Sequence, residues 1–428
     1  MAEVSKIKDT VAAAAKRYPY GKCILFNIME SCTLQYRTQC LMLGVTVLLL
    51  VMALPGLPGL ADDTSWDTRN GVSGHTFPWA FVPLLERSLG LPRAALAAIA
   101  LLSSVPLLWL WRVDGPHNGG AEAHWAQILP PALHSRVFCA RGGDTDCYLE
   151  MFSEAGASGR DRRAAGYLVA APGNTYSNAL YYFTGIAVLV SSLAGPYLGG
   201  EASSATPFWA PDALYGALVL TLAVFSTGWH ATNRSFFHYP DLATMECSIA
   251  YLIIRVPCSA MQASNLCLAL YCLAAAFIFR HKRGWHDARM LHYSCPFAAR
   301  WRLFHNGNDG NEDLGVAGVC LYAVLPVIYL ALPFATQVFV MQNSGSVFAF
   351  KLAVSTLAVG WGYRMCERFC LDGNVLMNLA CQRTRDGIGP TRTVAAAIIS
   401  PTAVLHWTTG LTLLFAYAGA RTLEQKAE

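Results

Sequence analysis

The sequence predicts an all-α membrane protein, with a seven-helix bundle over residues 166–428 and an N-terminal extension, 1–165, that adds two further transmembrane helices. Three observations predict this. Hydrophobic residues make up 54% of the 428-residue chain and charged residues only 14%, at a mean hydropathy of +0.36. Soluble domains carry roughly 25% charged residues. Apolar stretches of bilayer-spanning length recur along the chain. The polar and ionisable residues within them gather near stretch ends, as groups that face a bundle interior do.

The first two stretches are 39–57 and 93–111. The connector between them, with Pro55, Pro58, Asp62, Asp63 and Asp67, is irregular and suited to the membrane surface. So is 112–165, rich in Gly, Arg and Asp, which separates these two stretches from the other seven. Those run 172–195, 210–230, 241–257, 262–280, 316–340, 346–365 and 394–419. The 241–257 stretch holds Asp241, Glu246 and Arg255, and still reads as a span because those groups can face the interior of a bundle. Basic residues give the orientation. Lys6, Lys8, Lys16, Arg17, Lys22 and Arg37 precede the first span, Lys282, Arg283, Arg289, Arg300 and Arg302 crowd the 281–315 loop, and Arg364, Arg368, Arg383 and Arg385 flank the last connection. Nine spans put all three groups on one side, which places the N terminus inside and the C terminus outside. Residues 1–22 are basic and partly amphipathic, but Glu3 and Asp9 weaken a transit-peptide reading.

Several function classes are excluded. A net charge of +4 is too small and too scattered for a nucleic-acid footprint, and no zinc-finger, RNP or Walker spacing occurs. Many of the 14 cysteines, among them Cys247, Cys267, Cys272 and Cys320, lie in apolar stretches where cysteine behaves as a small hydrophobe. Cys366 with Cys370, and Cys139 with Cys147, lack partners at zinc-ribbon spacing. His281, His286, His292 and His305 share a loop with many arginines, an interfacial setting that also suits anionic lipid headgroups.

The chemistry-bearing residues concentrate at one junction. Ser226, Trp229 and His230 close the 210–230 stretch, Asp241 opens the next one, and His406 sits inside the last. Ser226 and His230 are four apart and share a helical face, which Asp241 can meet across a short turn. Two readings stand for such a cluster: a hydrogen-bonded polar contact that joins helices, or a metal or catalytic site.

Longer motifs narrow the choice. Ser226-Thr227-Gly228-Trp229-His230 followed by Asp241, Asn174-Thr175-Tyr176-Ser177-Asn178 at the start of the third stretch, Phe369-Cys370 after the eighth, and His406-Trp407-Thr408-Thr409-Gly410 in the ninth resemble the alkaline ceramidase family. The resemblance covers about 165–420 and leaves the first 150 residues without a counterpart. It implies a seven-helix membrane hydrolase with an intramembrane zinc held by three histidines, which cleaves ceramide to sphingosine and a fatty acid. On that pattern His230 and His406 are zinc ligands, Asp241 orients or deprotonates the zinc-bound water, and Ser226 donates to the developing oxyanion. Asn174 and Ser177 are structural polar residues.

The chain departs from the pattern at both of its metal sites. The first histidine of the H-x-x-x-H pair is replaced by Thr402, so two of three imidazoles remain, with Asp241 and His238 as candidate substitutes. The calcium cluster is degraded as well. Ala171 stands where a glutamate is expected, and only Asp144, Asp146 and Glu150 around Cys147 remain of the upstream acidic run. Zinc is therefore expected to be weak or absent, and calcium is not expected. Two functions follow: a catalytically impaired, lipid-binding accessory subunit of a larger membrane complex, or an active zinc amidohydrolase with a rearranged ligand set. The expected partners are membrane lipids, ceramide or another two-tailed lipid, and other subunits. The compartment is the mitochondrial inner membrane or an endomembrane.

Overall fold

The computed structural model describes residues 37–48, 85–86, 88–115, 120–130, 167–198, 210–261, 263–291, 349, 352–362, 383–384, 387–388 and 401–424. The expected span 316–340, Phe369-Cys370, Cys139, Cys147, Cys366, and the acidic residues 144–150 lie outside these. The described residues are mostly α-helical. In chain order they form α1 (Arg37–Leu48), α2 (Arg93–Val113), α3 (Gly120–Ile128), α4 (Pro172–Tyr176), α5 (Ala179–Leu198), α6 (Ala210–Thr232), α7 (Ser235–Ala260) and α8 (Ser264–Leu291). They continue with α9 (Leu352–Gly362) and α10 (Pro401–Glu424). Between α9 and α10, Arg383–Thr384 and Gly387–Ile388 pair as a two-residue antiparallel ladder.

Two helices, Arg93–Val113 and Pro211–Thr232, are long and apolar enough to cross a membrane. Helix α2 is apolar all round. Leu96, Ile99, Ser103, Leu107 and Leu110 are buried at helical spacing, while Leu101, Leu102, Val105, Leu108 and Trp109 on the other side are exposed. A soluble surface helix would carry polar residues there. Helix α8 exposes a similar stripe of Leu266, Leu270, Leu273 and Phe277.

Three expectations change. The 172–195 stretch is not one helix. Pro172 starts α4 at its first turn, and the Asn178 side-chain amide then donates to the carbonyls of Asn174 and Thr175, both at 3.2 Å. A side chain that competes for backbone carbonyls in this way ends a helical turn, and α5 restarts at Ala179. Asp241 does not open its helix either. The turn between α6 and α7 is tight because Asn233 adopts φ 51° and its N–H returns to the Trp229 carbonyl at 2.6 Å. Asparagine tolerates this left-handed conformation, a common helix stop. Helix α7 therefore begins at Ser235 and has already passed through Pro240 when it reaches Asp241. The 262–280 stretch also runs on, through Lys282, Arg283 and Arg289, to Leu291.

Helices α5, α6, α7 and α10 enclose the buried polar residues. Where α5 crosses α6, two glycines allow the backbones to touch. A Cβ on Gly185 would lie 2.6 Å from the Leu220 nitrogen, and one on Gly216 would lie 2.8 Å from the Leu189 nitrogen. Small residues permit such crossings. Gly185→Leu should therefore cost about 1–3 kcal/mol through forced separation of the helices. Gly362→Ala, where a Cβ meets open space, should leave the thermal midpoint of the detergent-solubilised protein nearly unchanged.

The end of the bundle at the start of α6 is tied by charge. Asp212 accepts from Arg255 Nε at 2.7 Å and Nη2 at 3.0 Å, from the Tyr417 hydroxyl at 2.9 Å, and from the Tyr251 hydroxyl. Arg421 Nη1 stands 3.6 Å away. Tyr215 stacks between Tyr251 and Tyr417, with centroids 4.6 and 5.6 Å from its own. One carboxylate thus joins α6, α7 and α10.

Candidate functional site

Residues at the opposite end of α6 form a second buried polar cluster. From Asp212 to His230 the helix rises about 27 Å at 1.5 Å per residue. His230 leaves the last turn of α6 and His406 comes from the second turn of α10. Their rings meet with centroids 4.7 Å apart and planes inclined by 57°. Both residues are buried. The two histidines separated by 176 positions in sequence are thus adjacent in space.

The α4 segment fixes the His406 ring. Nδ1 lies 3.0 Å from the Asn174 carbonyl and 2.8 Å from Ser177 Oγ, and that hydroxyl itself donates to the Asn174 carbonyl at 2.8 Å. A carbonyl can only accept, so Nδ1 carries the proton and the serine oxygen accepts a share of it. Nε2 is left as a lone-pair nitrogen, the form in which histidine ligates a metal or accepts a hydrogen bond. Asn174 and Ser177 therefore act on the site directly, beyond the structural part expected of them.

Ser226 is buried one turn before His230, on the same face of α6. Its hydroxyl lies within electrostatic reach of the Asp241 carboxylate but makes no direct hydrogen bond. Asp241 is only partly buried. Tyr181 completes the cluster from α5. Its ring packs on His406 at 5.7 Å, and its hydroxyl neighbours Asp241 and Thr409. Sequence reasoning missed Tyr181 and Thr409. The signal was helical spacing, since Tyr181 is four residues after Ser177 and Thr409 is three after His406. The Ser226 and Thr409 hydroxyls are buried and have no direct hydrogen-bond partner among the described residues. Buried polar groups in this state mark a place for water or a polar ligand.

The described residues supply two of the three imidazoles of a three-histidine zinc centre. Among the described residues, no third His, Cys, Asp or Glu joins His230 and His406 in a group that could hold a metal ion. Thr402 is buried one turn before His406, where the missing imidazole would be. Of the two candidate substitutes, His238 stacks on Trp229 with centroids 4.2 Å apart, and Asp241 lies within electrostatic reach of Ser226 and Tyr181. Ala171 offers no side-chain ligand for calcium. Its backbone N–H instead donates to the His230 carbonyl at 3.1 Å.

The chain matches no family model, no characterised protein and no solved structure.

Proposed function

We propose that the chain is a multipass membrane protein with a seven-helix ceramidase-like bundle, impaired as a hydrolase, that holds a lipid headgroup in its interior as an accessory subunit of a larger membrane complex. The observation that carries this reading is the meeting of the His230 and His406 rings beside the buried Ser226 and Thr409 hydroxyls and the Asp241 carboxylate, with Thr402 where a third imidazole would complete a zinc site. Those groups can donate to and accept from an amide or diol headgroup. With two imidazoles a zinc-bound hydroxide is poorly held, since zinc hydrolases use three protein ligands and one open position.

The spacing of the polar clusters supports a membrane setting. Asp212 and His230 lie about 27 Å apart along α6, near the ~30 Å depth of a hydrocarbon core. The exposed apolar faces of α2 and α8 suit acyl chains. A mitochondrial inner membrane and an endomembrane both accommodate these features, and fluorescence localisation of the tagged chain separates them.

A second reading, an active zinc amidohydrolase, draws on one observation: the Asn174 carbonyl holds the proton of His406 on Nδ1, which makes Nε2 the lone-pair nitrogen beside the His230 ring. Elemental analysis of the purified protein and a ceramide hydrolysis assay distinguish the two. The accessory reading expects zinc far below one per chain, no turnover, and a two-tailed lipid retained through purification and detected by native mass spectrometry. One zinc per chain with turnover abolished by His230→Ala overturns it in favour of the enzyme.

A further inference from the structure

Residues 168–177 link the N-terminal extension to the histidine pair. On its inner side this segment grips both histidines. The N–H groups of Ala170 and Ala171 donate to the carbonyls of Ala231 and His230 at 2.9 and 3.1 Å, taking up carbonyls that the end of α6 would otherwise leave unsatisfied. The Asn174 carbonyl and Ser177 Oγ hold His406 Nδ1.

On its outer side the same segment is held by the extension. Trp125 of α3 donates its indole N–H to the Leu168 carbonyl at 3.0 Å. Asp114, wholly buried at the end of α2, accepts the Val169 N–H at 3.1 Å. Asp114 is steadied in turn by α1, where Arg37 Nη1 lies 3.7 Å from its other oxygen and donates to the Trp111 carbonyl at 3.2 Å. Gly44 of α1 packs so closely that a Cβ there would sit 2.5 Å from the Tyr176 carbonyl oxygen.

Contacts to the extension and contacts to the histidines thus fall on consecutive residues of one short segment. We propose that Asp114 and Trp125 are positioning residues for the site, which set the placement of His230 and the proton on His406 Nδ1 by fixing residues 168–171 from outside the bundle. The extension, without counterpart in the family the sequence resembles, becomes part of the site's frame. The inference rests on this polar cluster being the working site.

The test follows the Nδ1 proton of His406 in the full chain, reconstituted in nanodiscs with 15N-labelled histidine and assigned with His406→Gln. A ring held by two acceptors shows a protected Nδ1–H. Asp114→Ala should raise its solvent-exchange rate at least tenfold, and Asp114→Asn, which keeps a carbonyl acceptor for the Val169 N–H, should restore most of the protection. Tyr417→Phe, which removes a hydrogen bond from the Asp212 cluster at the other end, should leave the rate within twofold. Should Asp114→Ala fail to fold, Trp125→Phe, which removes the indole N–H and keeps a ring, should give the tenfold increase. The proposal is overturned by unchanged exchange in Asp114→Ala or Trp125→Phe, by failure of Asp114→Asn to rescue, or by an equal effect of Tyr417→Phe. Because the readout is a protein proton and no lipid or metal, any of these results leaves the proposed function to its own assays.

Discussion

Asp212→Ala should destabilise the protein by about 3–5 kcal/mol. The carboxylate sits between two buried guanidiniums and receives two tyrosine hydroxyls. Removing it strips the buried Arg255 and Arg421 of this counterion, and a buried charge stripped of its partner costs more than the pair contributed. Tyr417→Phe should cost about 1 kcal/mol, the net worth of one hydrogen bond, and somewhat more because the acceptor is charged. Thermal unfolding of the purified protein in detergent measures both. An Asp212→Ala midpoint within a degree or two of wild type would show that α6, α7 and α10 are not joined at this carboxylate.

This cluster also shows what the sequence could and could not disclose. Asp212, Arg255 and Arg421 are far apart in the chain, and each by itself reads as a charge at the end of an apolar stretch. Only packing brings them to one point. Among the described residues the positions of the apolar stretches were legible as helices, because a run of apolar residues favours a helix whatever its distant neighbours do. Boundaries governed by side-chain hydrogen bonds were not. The break at Ser177 and Asn178 depends on an amide that turns back on its own carbonyls, and the early start of α7 depends on a left-handed Asn233. Both changes matter at the site, since the first frees α4 to hold His406 and the second moves Asp241 away from a helix end.

The meeting of His230 with His406 was expected from the family resemblance alone, since neither periodicity nor spacing requires residues 176 positions apart to meet, and Tyr181 and Thr409 follow from helical periodicity once α5 is correctly placed. Asn174 and Ser177 were expected as structural polar residues, but their contact with His406 Nδ1 needed the coordinates of three separate elements. The contribution of the extension was not legible at all. Asp114 and Trp125 lie in a stretch whose composition marks it only as a connector, and their bonds go to backbone atoms of Leu168 and Val169, which no side-chain pattern encodes.

Thr402→His should raise zinc affinity by roughly two orders of magnitude. Structural zinc sites with four ligands gain about 10–16 kcal/mol, or about 3 kcal/mol for each ligand, and 1.4 kcal/mol is tenfold. Position 402 lies one turn before His406 on the same face of α10, so a new imidazole there would point toward the site where the His230 and His406 rings already meet. Chelator competition on the purified variant should show occupancy approaching one zinc per chain, and His406→Ala in the same background should return it to the wild-type level. Occupancy is the readout to watch, because turnover would also need a path for substrate to reach the metal. If Thr402→His binds no more zinc than wild type, the lone pairs of His230 and His406 do not converge on a common point. The two-imidazole cluster would then be a hydrogen-bonding site by construction, with no metal centre to restore.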